Sequence, residues 1–270
     1  MRLLWEAHSH TTLCNHAHGT VEEYAEAALA KNLAGIHITC HTPLPAGFSP
    51  QVRMRLDQMN EYLEMIQSVR EKFAGRLEIG TGLECDYLPE LEPWIAEMRE
   101  RRLWSHFLGS VHPQTPEFKK SYSQGGVTEN ITRYFQLVAK SAESGFFDTL
   151  GHPDLIKNEY PDAWKVEEVM KVVCNALDRI AKTGVAMEMN TSGWNKAIQE
   201  VNPGPVILKE MAKRNIPVVL GADAHRPTRV GDRFLDGLMI LEEAGYREVG
   251  LQEVGKRRMI SIAEARASLI

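Results

Sequence analysis

The sequence has no long apolar run. Its N-terminus, "MRLLWEAHSH", holds a three-residue apolar stretch that Glu6 interrupts, too short for the core of a secretory signal. Nowhere does the chain approach the roughly 18 consecutive apolar residues of a membrane span. Cysteine is sparse: Cys14, Cys40, Cys85 and Cys174 form no CxxC pair and no dense framework, so reduced thiols in a cytoplasmic protein are the expectation. A stripe of Lys and Arg is missing too. With a formal net charge of -5 and an isoelectric point near 6.1, the chain does not look like a protein held to nucleic acid by phosphate contacts. Repeats, low-complexity tracts and long Pro/Ser-rich linkers are absent.

What remains is a composition able to bury a sizeable core, 43% apolar and 25% charged over 270 residues. A single domain spanning 1–270 is expected. Seven short apolar, β-branched runs, "RLLWEA", "AGIHIT", "RLEIGTGL", "SHFLGSV", "FFDTL", "GVAMEM" and "IPVVLGA", alternate with amphipathic stretches. Apolar residues recur in those stretches at three- and four-residue spacings. The first, "VEEYAEAALAKN", follows Thr20 with Glu23 three residues on, the signature of a capping box. This rhythm predicts a parallel sheet covered by helices. Seven strand–helix units favour a barrel over an open doubly wound sheet.

Histidine is the concentrated residue. "HSHTTLCNHAH" carries His8, His10, His16 and His18 within eleven positions, and further polar residues stand at the ends of the predicted strands. The second runs to His41, the third to Glu84, the fourth to His112 and the fifth to His152. The sixth reaches Asn190, and the seventh Asp223 and His225. In a parallel barrel these C-terminal ends converge on one face, where chemistry is done. Residues two apart on extended chain project to one side, so His8 and His10 are expected to grip one ion, as are Asp223 and His225. Imidazole and carboxylate ligands suit zinc, manganese or iron(II), and seven histidines with two acids exceed what one tetrahedral ion needs. His37 and His106 fall inside strands and read as structural. Cys14, Cys40 and Cys85 adjoin ligands in sequence but are expected to pack behind them.

With these residues in hand the chain resembles the polymerase and histidinol phosphatase (PHP) superfamily, in its histidinol-phosphate phosphatase branch. The resemblance rests on "HSHTTLCNHAHG", "TCHTPLP", "GLECDY", "GSVHP", "GHPDLIK", "MEMNTSGW" and "GADAHRPTRVGDRF", with "EEAGYREVGLQEVGKRRMISI" as a similar ending. It implies an α/β fold, a distorted (β/α)7 TIM-like barrel, holding three divalent ions at the C-terminal ends of its strands. The first ion would take His8, His10, Glu84 and Asp223. The second would share Glu84 and add His112 and His152, and the third would take His16, His41 and His225. Catalysis would fall to Glu84, Asp223 and His225, with cations activating water and offsetting phosphate charge.

The resemblance also implies cationic side chains after the fifth and sixth strands to hold phosphate; the matching positions are Lys157 and Lys196. Arg226 is a third candidate, while Arg229 and Arg233 read as surface ion pairs. His18 is expected to touch substrate or back the ligands, and Asn190 to orient substrate or bond the backbone. The implied activity is hydrolysis of a small phosphate ester, L-histidinol phosphate, in histidine biosynthesis. A different small ester or a nucleotide phosphodiester is the alternative, and neither nucleic-acid nor membrane partners are expected.

Overall fold

The computed structural model describes residues 2–45 and 47–270; Met1 and Ala46, which fall within the expected domain, lie outside them. The seven expected strands form in order as β1 (Trp5–Glu6), β2 (Gly35–Ile38), β3 (Glu78–Asp86), β4 (His106–Ser110), β5 (Thr149–Leu150), β6 (Ala186–Asn190) and β7 (Val218–Gly221). Each pairs in parallel with its sequence neighbour. The expected helices follow as α1 (Val21–Ala30), α2 (Met59–Lys72), α3 (Glu92–Glu100), α5 (Val127–Glu143), α6 (Val166–Ile180), α7 (Pro205–Lys213) and α8 (Phe234–Ala244), with α4 (Pro116–Tyr122) inserted before α5. The capping box at α1 is complete: Glu23 N–H donates to Thr20 Oγ1, and Thr20 N–H to Glu23 Oε2.

The ring closes between its first and seventh strands. Ala7 N–H donates to the Leu220 carbonyl at 3.3 Å, Ala224 N–H to His8 at 3.0 Å and His10 N–H to Ala224 at 2.9 Å. The closure is uneven because β7 also pairs at Val219 with Gly250 of β8 (Glu248–Glu253). Strands β1 and β8 thus share one edge of β7, which distorts the barrel. Strand β8 turns back antiparallel into β9 (Lys256–Ser261), and α9 (Ile262–Ala267) ends the chain.

This hairpin and α4 were not expected from the sequence. Strand β9 reads "KRRMIS" and buries only Ile260, so it lacks an apolar face to betray it; charged edge strands are how sheets avoid pairing with other chains. Helix α4 has seven residues and buries only Phe118, too few for a helical period. Its Thr115 cap and Pro116 at the first turn were the legible signs.

One buried acid fastens the closure. Glu6 Oε1 accepts N–H bonds from His8 at 3.0 Å and Ala222 at 2.9 Å, and Oε2 accepts one from Gly231 at 2.8 Å. Burial pushes the Glu6 carboxyl up to about 7, against the pull of these three donors. His37 and His106 lie inside the barrel below the strand ends, as expected. His37 Nε2 is 2.9 Å from the Gln252 carbonyl, and His106 bridges the Ala7 carbonyl and Thr149 Oγ1. Burial lowers both imidazoles, His37 to about 4. Among the described residues no helix is long and apolar enough to cross a membrane.

Both Glu6 oxygens must accept, so Glu6→Gln sets an amide NH2 against a backbone N–H. The expected loss is about 1–3 kcal/mol, read as a lower midpoint in thermal melts; an unchanged midpoint would remove Glu6 from this role.

Candidate metal centre

Beyond Glu6 the chain stays extended, and His8 and His10 turn inward while Ser9 turns out. Ser9 donates its hydroxyl to the His37 carbonyl at 2.7 Å and its N–H to Thr39 Oγ1 at 3.1 Å. Thr11 then caps a short 3₁₀ turn, Thr12–Cys14, and Asn15 in the left-handed region (φ 67°) reverses the chain. The reversal returns His16 over the strand ends, where its Nδ1 donates to the Cys14 carbonyl at 2.7 Å. The His16 ring lies 4.5 Å from that of His225 and 5.4 Å from that of His41.

Glu84 stands in the middle, fully buried. Its Oε1 is 2.8 Å from His152 Nε2 and 3.2 Å from His112 Nε2. Its Oε2 is 3.0 Å from His41 Nδ1, 3.4 Å from His8 Nε2 and 3.6 Å from His10 Nε2. Asp223 Oδ1 closes on His10 Nε2 at 3.1 Å and His8 Nε2 at 3.6 Å. Two of these side chains reach their places only through left-handed backbone, His152 at φ 25° and Asp223 at φ 49°. Non-glycine residues adopt that conformation at a cost, and such strain gathers at functional sites.

Asp223 and His225, expected to grip one ion together, lie close, His225 Nδ1 being 3.4 Å from Asp223 Oδ1. Asp223 faces His8 and His10, whereas His225 stacks on His10 at 3.9 Å between ring centroids and lies beside His16.

Carboxylates and carbonyls behind the ligands set their tautomers. His8 Nδ1 donates to Glu188 Oε1 at 2.8 Å, His112 Nδ1 to Asp86 Oδ1 at 2.7 Å, and His225 Nδ1 to the Asp223 carbonyl at 3.0 Å. In the neutral imidazole each such bond leaves the opposite nitrogen with a lone pair turned toward the centre. Glu188 also accepts the His152 N–H at 2.9 Å and the Asn190 amide at 2.9 Å. It has room because Gly221 lies beside it, where a Cβ would overlap its Oε1. Asp86 pairs with the buried Arg53 at 2.8 Å. The sequence reading missed Asp86, Glu188 and Arg53. Asp86 lies two residues beyond Glu84 on one strand face, and Glu188 two before Asn190; that spacing was the available signal.

Several donor atoms are buried without a hydrogen-bond partner: His10 Nδ1, His41 Nδ1, Glu84 Oε2, His152 Nδ1 and His225 Nε2. Sets of ligand atoms within 4.8 Å of one another include His8, His10 and Asp223; His41, Glu84 and His112; and His10, His41 and His225. Orphaned acceptors packed this closely fit divalent cations, and the imidazole–carboxylate mix suits zinc, manganese or iron(II). Burial alone would raise the Glu84 carboxyl, but the imidazoles of His41, His8 and His112 hold it well below the usual range. Burial opposes charge on His10 and His112 as well, yet Asp223 and Glu84 for the one, Asp86 and Glu84 for the other, push both up to about 10. Cys14 and Cys40 are buried with their sulfurs within 4.8 Å of a His10 nitrogen, and neither lines the cavity above. Cys85 packs away, its sulfur near the Asp86 carbonyl.

That cavity, about 690 Å³, opens over the cluster between Gln114, Leu155, Asn195, Lys196, Arg226 and Arg229. Three expected substrate contacts are elsewhere. Lys157 has no exposure; its ammonium is spent on Asp154 at 2.9 Å, Glu200 at 3.0 Å and the Val201 carbonyl at 2.8 Å. A buried cation so paired cannot swing out to a phosphate. Asn190 is buried too, donating to Glu188 and accepting the Ser192 N–H at 2.9 Å. His18 is exposed outside the cavity lining, and its N–H holds the His225 carbonyl at 2.9 Å. Lys196 and Arg226 do line the cavity, Lys196 Nζ lying 3.7 Å from Asp223 Oδ2. Arg229 pairs with Asp232 at 2.7 Å yet also reaches the cavity, while Arg233 pairs with Asp236 and covers Trp194.

A PHP domain model matches residues 6–192, more than half of the chain. The chain belongs to the PHP family. A "Probable histidinol-phosphatase" of Deinococcus radiodurans is 38% identical, with 91% of this chain and 95% of that protein covered. The histidinol-phosphatase of Bacillus subtilis is 28% identical over 84% of this chain and 95% of its own length. In fold, this PHP chain matches the histidinol phosphate phosphatase of Lactococcus lactis with a TM-score of 0.78 at 18% identity, covering 94% of this chain and 98% of that one. That crystal structure is a complex with zinc, L-histidinol and phosphate.

The raised imidazoles give the centre a signature. At pH 7 a metal-free His10 and His112 carry protons that an ion must displace, so loading zinc should release protons. Release should diminish, and affinity rise, as pH climbs toward about 10. Calorimetry in buffers of different ionisation enthalpy measures this; binding without proton release at pH 7 would show that His10 and His112 are already neutral in the metal-free protein. Lys157→Met should cost about 3–5 kcal/mol of stability in denaturant melts, with KM for a phosphate ester unchanged in the surviving folded fraction.

Proposed function

We propose that the chain is a metal-dependent phosphomonoesterase that hydrolyses L-histidinol phosphate to L-histidinol and inorganic phosphate in histidine biosynthesis, working as one catalytic domain in the cytoplasm. The observation that carries this reading is Glu84, whose two oxygens face separate groups of imidazoles beneath an open, cation-rimmed cavity. The names of the relatives above supply the substrate.

Three sites are proposed: His8, His10, Glu84 and Asp223; Glu84, His112 and His152; and His16, His41 and His225. Bound there, divalent ions would supply an activated water and neutralise phosphoryl charge. The protein's share is orientation. Glu188 and Asp86 keep His8 and His112 in the ligating tautomer, and the left-handed turns at His152 and Asp223 aim those side chains inward. Above them Lys196, Arg226 and Arg229 give the rim a positive field for an incoming dianion. Arg226 or Arg229, supplied by the turn after His225, takes the place that Lys157 cannot fill. The net negative charge of the whole chain favours a small ester over a long nucleic acid.

Two measurements test the reading. Glu84→Ala should lower kcat/KM on the order of 10³-fold or more, with bound metal reduced in elemental analysis; near wild-type turnover would overturn the site. Across L-histidinol phosphate, sugar phosphates and a nucleotide diester, kcat/KM should favour the first by roughly 100-fold. Equal, poor rates on all would retire the substrate while leaving the metal centre intact.

A further inference from the structure

The cations around the cavity over the metal centre stand on one side of it. Lys196 follows β6, and Arg226 and Arg229 follow β7, whereas Gln114 follows β4 and Leu155 follows β5. The strands run round the ring in chain order, so the wall away from the arginines offers an amide and one apolar side chain. Among the described residues Leu155 is the only apolar one in the lining. A phosphoryl group drawn to the cations and the cluster leaves its alcohol to this other wall.

The segment 113–126, which carries α4, holds Gln114 firmly and uses its other polar groups elsewhere. Thr115 donates its N–H and its hydroxyl to the His112 carbonyl, at 3.3 and 2.9 Å, a tight turn that starts at the cluster itself. Glu117 accepts the Ser49 hydroxyl at 2.6 Å and the Ser49 N–H at 2.8 Å, and Phe118 buries the underside of α4. Lys119 pairs with Glu159 at 3.0 Å, and the Tyr122 hydroxyl donates to Glu90 at 2.9 Å. The carboxylates on this side therefore already meet a donor. Within the segment only Gln114 lines the cavity, and it is exposed there. Its amide oxygen is an acceptor on a rigid mount.

L-histidinol carries an ammonium on the carbon next to its hydroxymethyl group, and an imidazole one methylene further on. With phosphate on the cations, that ammonium is repelled by the metals and arginines and finds no carboxylate without a partner opposite them. We propose that Gln114 is a specificity-determining residue whose Oε1 accepts a hydrogen bond from the substrate ammonium, while Leu155 packs against the methylene and ring. The assignment rests on the phosphatase reading above and adds to it the side chain that selects the alcohol.

A cycle between enzyme and substrate tests it. For the metal-loaded wild type, kcat/KM should fall roughly 10- to 100-fold from L-histidinol phosphate to its desamino analogue, the loss of one charge-assisted hydrogen bond. Gln114→Leu should lose a similar factor on L-histidinol phosphate, and in that variant removing the amine should cost no more than about twofold. Its inhibition by inorganic phosphate and its metal content should match the wild type, because the phosphoryl side is untouched. A wild type indifferent to the amine overturns the Gln114 assignment, a readout that needs no variant to fold. So does an amine preference that survives in Gln114→Leu, or a weakened phosphate inhibition there. A wild type as poor on L-histidinol phosphate as on a sugar phosphate instead removes the phosphatase reading, and this assignment with it.

Discussion

A carboxylate with no access to water, Glu84, lies against five imidazoles, those of His8, His10, His41, His112 and His152. Burying an ionised acid costs several kcal/mol, recovered only when positive charge and hydrogen bonds surround it on every side. Imidazoles alone do that only by taking up protons, as His10 and His112 do, and orphaned atoms such as Glu84 Oε2 and His225 Nε2 mark what stays unsatisfied. The interior therefore calls for cations. Because a partly satisfied polar network is worse than an apolar core, the imidazoles and acids gathered from six strand ends stand or fall together, though over two hundred residues separate them in sequence.

The barrel meets that demand with a few local devices. Parallel strands aim their C-terminal ends at a common point, and alternation of side chains lets His8 and His10 enter while Ser9 sews β1 to β2. Where alternation would point a ligand the wrong way, left-handed backbone corrects it, at His152 and Asp223. Behind the ligands stands a second tier of acids. Asp86 and Glu188 are themselves buried and paired, the one with Arg53, the other with a backbone N–H and Asn190. Each is supported by what it supports, so the first tier inherits a defined geometry rather than a merely crowded one.

Much of this was legible from one dimension because metal ligands are rare residues at fixed places. An apolar run ending in His, Asp or Glu needs no tertiary knowledge to be marked, and six such endings among the seven expected strands pointed to the cluster. Residues whose role depends on what arrives from elsewhere stayed hidden. Lys157 stands where the family resemblance implies a phosphate contact, but Asp154 and Glu200 meet it in the interior and hold it there. Asn190 stands at a strand end like a ligand, yet Glu188 and Ser192 use both ends of its amide. Strand β9 hides for the opposite reason: as a charged edge it buries a single side chain, so periodicity has nothing to report.

Glu6 links the two halves of the site in a way that neither half shows alone. Its carboxylate holds the N–H of His8, which heads the histidine cluster, and the N–H of Ala222, which precedes Asp223. It also holds the N–H of Gly231, at the end of the turn bearing Arg226 and Arg229. One rigid acid thus sets the distance between the ligand arm and the cationic rim. With Lys157 committed to the interior, the rim depends on that turn, and a turn anchored by a single peptide would wander relative to the cluster if its anchor moved independently. Fixing both on the same two oxygens removes that freedom, so the cationic rim keeps its register with the cluster below it. Reactivity falls steeply when groups drift by even an ångström, and a shared anchor is the simplest device that prevents the drift.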